Sequence, residues 1–118
     1  MWPAAFKRVI AVAALDRSGK QRAPFSNHGW WVDCCTPAVD VLSSFVDFDE
    51  KGRSGDFRKP RSFHGWATWS GTSFAAPKVA GEIAALKTTT KATSARASAQ
   101  ALFAGRRWLP DLGVVLNL

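Results

Sequence analysis

The chain has no tyrosine, one methionine, two histidines and only two cysteines. Those cysteines, Cys34 and Cys35, are adjacent. Neighbouring cysteines can close only a strained small ring, so a stabilising disulfide is excluded. The pair fits no zinc spacing either, and both read as small buried hydrophobes. Cysteine usage therefore leaves the compartment undecided. No apolar run approaches the roughly 18 residues that a membrane span requires. Lys7-Arg8 and the apolar residues 9–15 imitate a leader peptide, but Asp16 ends the run early and no small-residue cleavage site follows. A buried strand explains that stretch better. Acidic residues are also few, 9 against 16 Lys and Arg, for a net charge of +7. Such a charge could steer a protein towards nucleic acid or anionic surfaces. Here the basic residues are spread from Lys7 to Arg107 with no run of five like charges, which favours a solvated basic surface. Neither nucleic-acid binding nor membrane insertion is expected.

What is present suits one modest globular domain. The 118 residues are enough for a single core and too few for two. Apolar residues at 47% and charged residues at 21% are ordinary proportions for such a domain. Six Trp and eight Phe supply the bulk expected of its core. No internal repeat or interdomain linker breaks the chain.

The chain is organised around residues 70–86, Ser-Gly-Thr-Ser-Phe-Ala-Ala-Pro-Lys-Val-Ala-Gly-Glu-Ile-Ala-Ala-Leu. Gly71 and Thr72 lead into Ser73, and an Ala-rich helical stretch follows at once. That order predicts a serine hydroxyl at the start of a helix, where N–H groups are unpaired and the dipole favours negative charge. A nucleophilic serine benefits from such a place, because an oxyanion develops beside it during acyl transfer. Gly71 would let a substrate backbone approach closely. Pro77 is expected in the first turn, where a missing N–H costs least. Ala75, Ala76, Ala80, Gly81, Ala84 and Ala85 make a thin helix that neighbouring layers could enclose. An ordinary Ala-rich helix with a Ser cap is the plainer alternative.

Gly71, Thr72, Ser73, Ala75, Pro77, Val79, Ala80 and Gly81 fill eight of eleven positions of the motif Gly-Thr-Ser-x-Ala-x-Pro-x-Val-Ala-Gly. In this the chain resembles the subtilisin-like serine peptidases, and eight matched positions are too many for a chance helix cap. The resemblance extends, in the family's order, through Trp2-Pro3, Val9-Ile10-Ala11-Val12, Phe25-Ser26-Asn27-His28-Gly29, Val32-Asp33 and Pro37. It implies an α/β fold made of part of the subtilisin architecture. Parallel strands, a buried central helix after the serine and a C-terminal helix on the sheet are expected, with residues 1–118 forming the C-terminal portion of a catalytic domain. It also implies that Trp2 and Pro3, through a cis bond, lie beside the pocket for the substrate's P1 side chain. A plain surface loop is the alternative for those two residues.

Along the chain, residues 9–14 are a continuous apolar run suited to a strand buried on both faces of a parallel sheet. Residues 30–35 are predicted as the next strand, ending at Thr36-Pro37. The family commonly has Pro-Gly where this chain has Pro37-Ala38, so a turn needing positive φ would strain Ala38. Residues 39–43 alternate as a half-exposed strand does. Nine charges, Gly52, Gly55 and Pro60 mark residues 46–62 as a surface loop. Asp47, Asp49 and Gly52 imitate the opening of a calcium loop, but Lys51 and Arg58 occupy ligand positions and exclude it. Trp66 and Trp69 are expected to pack against the sheet. Residues 88–91 read as a polar break. Thr93 or Ser94 then caps a second helix through about Ala104, with Ala97, Ala101, Leu102 and Phe103 inward and Gly105 as its stop. Residues 112–118 resemble the short closing strand that follows the last helix in many family members, and a strand is expected there.

The functional expectation follows from the resemblance. Family members use Asp, His and Ser in that chain order, with a backbone N–H and an Asn side chain for the oxyanion. Only Ser73 carries over, its own N–H being one oxyanion donor, with Gly71, Thr72, Trp2 and Pro3 expected to contact substrate. His28 matches a structural position, and His64 is expected to be held away from Ser73 by a short strand. The remaining machinery is expected in segments before Trp2, so the chain reads as part of a serine endopeptidase acting on polypeptides, inactive alone. Its expected partners are a polypeptide substrate and the N-terminal part of the catalytic domain, and exposed strand edges are expected where that part is missing. No cofactor is expected, and no side-chain cluster would hold the calcium that family members often carry. Family habit alone suggests secretion. Two other readings stay open: a non-catalytic remnant that binds peptides or a protein through its exposed sheet, and a basic binding module.

Overall fold

The fold was described from a computed structural model covering residues 2–49 and 62–118; the side chain of Phe48 is not described. In chain order the elements are β1 (Val12–Leu15), β2 (Cys34–Pro37), β3 (Val41–Ser44), β4 (Phe48–Asp49), β5 (Ser62–Phe63) and β6 (Trp66–Trp69). These lead into α1 (Thr72–Thr90), α2 (Ala95–Phe103), β7 (Trp108–Leu109) and β8 (Gly113–Val115). One sheet has the order β1-β2-β8-β7. β1, β2 and β8 run parallel, and β7 is antiparallel to β8. Two antiparallel pairs, β3-β6 and β4-β5, stand apart from it.

Alternation along the strands assigns each face of this sheet. Val12, Ala14 and Cys34 look towards the helices, where Ala75, Val79 and Leu102 meet them. Ala13, Leu15, Cys35 and Val115 look the other way, onto Leu112, Val32 and Leu109. The adjacent cysteines therefore lie on opposite faces, both buried and both free. Burial pushes the Cys34 thiol up to about 12, with Asp33 and Cys35 adding to the shift. It pushes the Cys35 thiol to about 11 against the opposing charge of Arg107.

β1 begins later than the apolar run suggested. Val9 and Ile10 are exposed, at 43% and 38%, and belong to no strand. Farther along, the same edge is closed by the chain itself: the Ala23 N–H donates to the Ala14 carbonyl at 2.9 Å, and the Ala14 N–H donates to Ser26 Oγ at 2.9 Å. The chain itself thus covers this edge at Ala14, while among the described residues β7 and the two-stranded pairs keep open sides. β2 also starts late, because residues 29–32 form a turn closed by Val32 N–H to the Gly29 carbonyl. The Asp33 carboxylate accepts the Ala11 N–H at 2.7 Å, and the Asp33 carbonyl accepts the Val114 N–H. Gly113 lies at φ +69, and a Cβ there would collide with the Asp33 carbonyl, so this strand entry requires glycine.

Four other expectations change. α1 does not stop at residue 88. Thr88, Thr89 and Thr90 donate their hydroxyls to the carbonyls of Ala84, Ala85 and Leu86, which carries the helix through to a left-handed Lys91. α2 is capped by Ser94 Oγ, which accepts the Ala97 N–H, but its buried stripe is Ser98, Ala99 and Leu102, with Ala101 exposed. Ser98 tolerates burial because its hydroxyl donates to the Ser94 carbonyl. Ala38 has no positive φ; the left-handed residue is Asp40, at φ 54. Finally, no described Trp or Phe side chain is buried. Trp66 and Trp69 are 63% and 56% exposed rather than packed on the main sheet. The ends of the charged segment 46–62 pair as β4 and β5, while Lys51 and Arg58 of the excluded calcium loop lie outside the described residues.

Candidate active site

Ser73 is the second residue of α1 and is exposed. It stands beyond the carboxyl ends of β1 and β2, where open parallel sheets bind ligands. Its position is set by three long-range bonds. The Gly71 N–H donates to the Ala38 carbonyl at 3.0 Å, and the Asp40 N–H donates to Ser70 Oγ at 2.8 Å. One turn into the helix, Lys78 Nζ donates to the Pro37 carbonyl at 2.9 Å. Ala75 lies buried among Ala14, Ala23 and Ala38, so small residues on both sides bring the helix start close to the strand ends. The turn is therefore tied to the segment that follows β2 from two sides.

The first turn of α1 has no acidic residue, and no side chain caps it. The partial positive charge of the helix start is consequently uncompensated within the helix, a setting that favours a developing anion beside Ser73. Desolvation lowers the Lys78 pKa, weakening its hold on a proton. Pro77 lies inside the helix rather than in its first turn. It cannot supply the N–H that position 77 would donate to the Ser73 carbonyl, which loosens the ladder directly at the serine. Gly71 is extended at φ 163, and a Cβ there would make ordinary contacts with the Phe74 ring at 3.6 Å and the Ser73 nitrogen at 3.9 Å. Its own conformation and neighbours do not demand glycine.

The other predicted residues are distributed as follows. Thr72 opens α1 beside Ser73. Trp2 and Pro3 are joined by a cis peptide bond, and the Trp2 ring tilts against Phe6 with centroids 4.7 Å apart. Trp2 is 71% exposed, and among the described residues no hydrogen bond or ring contact joins Trp2 or Pro3 to the serine turn. His28 and His64 are both exposed, and neither hydrogen-bonds Ser73 among the described residues. β6 separates His64 from Ser73 in the chain, as expected. Sequence reasoning passed over Ser70, Asp40 and Lys78. Ser70 directly precedes the motif and Lys78 fills one of its variable positions, but their partners are 30 and 41 residues away, beyond any local signal. Among the described residues no group of three metal-ligating side chains comes together, and no helix is long and apolar enough to cross a membrane.

Comparison with known proteins agrees with this arrangement. A model of the subtilase family matches residues 1–104. The chain belongs to that family of serine peptidases. It is 38% identical over 84 residues to a thermophilic serine proteinase of Bacillus sp. (strain AK1), a match covering 71% of this chain and 17% of that protein. It is 35% identical over 95 residues to proteinase R of Parengyodontium album, covering 80% and 20%. Among solved structures it is similar to fervidolysin of Fervidobacterium pennivorans, a keratinolytic enzyme related to subtilisin. That similarity has a TM-score of 0.74 and 28% identity, over 98% of this chain and 19% of the other. The chain thus spans about a fifth of the length of these relatives.

Proposed function

We propose that Ser73 is the nucleophile of a serine endopeptidase and that residues 1–118 are the C-terminal portion of its catalytic domain. The observation that carries this reading is the serine turn: an exposed Ser73 at an uncapped helix start, tied by Gly71, Ser70 and Lys78 to the strand ends. Ser73 Oγ attacks the carbonyl carbon of a peptide bond and passes its proton to a histidine base. The developing oxyanion is held by the Ser73 N–H and an Asn side chain. Collapse expels the amine, which takes up the proton, and leaves an acyl-enzyme that water hydrolyses. Gly71 and Thr72 line the path of the substrate backbone, and Trp2 and Pro3 border the P1 side chain.

In this reading the histidine, its Asp partner and the oxyanion Asn come from sequence outside these residues, and the 118 residues alone do not cleave. A serine without its base is a poor nucleophile at neutral pH. The substrate class is polypeptide, in keeping with the protease relatives. The test is peptide hydrolysis by the native polypeptide that carries these residues. Ser73→Ala is expected to lower the rate by roughly a thousandfold or more, the scale that loss of the nucleophile brings in serine hydrolases.

A second reading is favoured by one observation, the exposed apolar side chains of β3 and β6, with Leu42 and Trp66 on one face of the pair and Trp69 on the other. It makes the chain a non-catalytic subtilase remnant that binds peptides or another protein. Peptide binding that Ser73→Ala leaves unchanged, with no hydrolysis by either form, would select it.

A further inference from the structure

The turn after β1 and the segment after α2 border an open hollow of about 430 Å³. Three cations line it: Lys20, Arg106 and Arg107. Ser18, Gly19 and Asn117 complete the polar wall. The volume falls in the range of small-molecule sites, which is roughly 300–1,000 Å³.

Both walls are built by specific bonds. On one side the Gly19 N–H donates to the Asp16 carbonyl at 3.0 Å, and the Asp16 N–H donates to the Gln21 carbonyl at 2.8 Å. The Asp16 carboxylate accepts the Ser18 hydroxyl at 2.8 Å and the N–H groups of Lys20 and Gln21 at 3.1 and 3.2 Å. The Ser18 hydrogen bond, followed by those backbone N–H groups, holds the Asp16 pKa below its ordinary value. Gly19 has φ +69, a left-handed turn conformation that favours glycine, and lies beside Pro37 and Asn117. On the other side Arg106 Nε donates to the Leu102 carbonyl at 2.6 Å, which aims the rest of the guanidinium away from the helix. The Arg107 carbonyl accepts the Val115 N–H at 2.8 Å and so fixes that residue's backbone to β8.

The charge is unbalanced. Among the described residues the ion pair is Arg17 with Asp40, and Lys20, Arg106 and Arg107 have no carboxylate partner. Asp16 is occupied by its own turn, and even counted in full it leaves a surplus of two positive charges. Three cations round one open hollow set up a positive potential that attracts an anion, most strongly at low salt. Arginine forks with free N–H donors, a lysine ammonium and a serine hydroxyl are the donors that tetrahedral oxyanions take.

We propose that this cavity is a binding site for a phosphate or sulfate group, either free or at the head of a small organic ester. It is independent of the serine turn and does not rest on the peptidase reading. The two cationic walls come from the turn after β1 and the stretch after α2, so an anion between them would also brace β8 against β1 and β2.

The test is calorimetric titration of the native full-length polypeptide with inorganic phosphate, and separately with glycerol phosphate, at fixed ionic strength. Fixed ionic strength matters because exposed charges are strongly screened by salt. Saturable binding is expected for phosphate. Tighter binding of glycerol phosphate would assign an ester head, and equal binding would assign the free anion. Arg106→Gln combined with Arg107→Gln should weaken binding about tenfold or more, the effect of losing charge-assisted hydrogen bonds. Lys20→Ala, in an exposed turn whose bonds are made by the backbone, should weaken it without threatening the fold. Arg96→Gln, a cation remote from the cavity, should leave it unchanged. The proposal is overturned if neither anion binds saturably, or if Arg96→Gln weakens binding as much as Lys20→Ala.

Discussion

The main parallel sheet and the β3-β6 pair are both rich in apolar residues, yet they use them in opposite ways. In the sheet the buried side chains are small or medium: Ala13, Ala14, Leu15, Cys34, Cys35, Val115 and, from the helices, Ala75, Val79 and Leu102. In the pair, Leu42, Trp66 and Trp69 are between 56% and 64% exposed. A layered core between a sheet and close-packed helices has room for alanine and valine, so the bulky rings are displaced to the periphery. Stability should therefore reside in the small residues, and the aromatic surface should be nearly neutral to it.

The sharpest way to break that contrast is to truncate one side chain in each region. Leu102→Ala, 2% exposed between α2 and the sheet, should cost about 2–5 kcal/mol. Trp66→Ala should fall within about 0.5 kcal/mol of the parent despite its larger side chain. Denaturant unfolding of both variants measures the difference, and equal losses would show that the aromatic pair is structural.

A smaller effect concerns Thr36, fully buried on β2, whose hydroxyl has no hydrogen-bond partner among the described residues. Thr36→Val keeps the shape and removes an unsatisfied polar group, so the unfolding free energy from denaturant titration should rise by about 1–2 kcal/mol. A loss would mean that the hydroxyl is satisfied by water.

The cysteines sharpen the comparison in another way. In the folded state the Cys34 thiol is raised from 9.0 to about 12. The neutral form is favoured by folding, so this contribution is complete below pH 9 and is lost as pH rises towards about 12. Stability should fall across that alkaline window, and less steeply in Cys34→Ala. At pH 8 both thiols should resist iodoacetamide until the chain unfolds.

Much of this was legible in the sequence. Eight matched positions around Ser73 marked the serine turn, the Ser94 cap was a local signal, and the adjacency of the cysteines excluded their pairing. What was not legible depended on distant partners. The start of β1 is set by which neighbours pair with residues 9–10, and no local pattern encodes that. The threonines at 88–90 look like a break until their hydroxyls are seen to bond back into the helix. Pro77 fits the motif wherever the helix begins, and only the start at Thr72 places it past the first turn. The aromatic count suggested core bulk because composition carries no information about layer spacing. Ser70 and Lys78 were invisible as positioning groups for the same reason: their partners lie on another element.

The central claim is that Ser73 is an activated nucleophile in the native polypeptide. The most direct measurement is mass-spectrometric mapping of a fluorophosphonate adduct on that polypeptide, folded and then denatured. One adduct is expected, on Ser73, formed only in the folded protein and absent from Ser73→Ala. No adduct, or one placed on another serine, would contradict it.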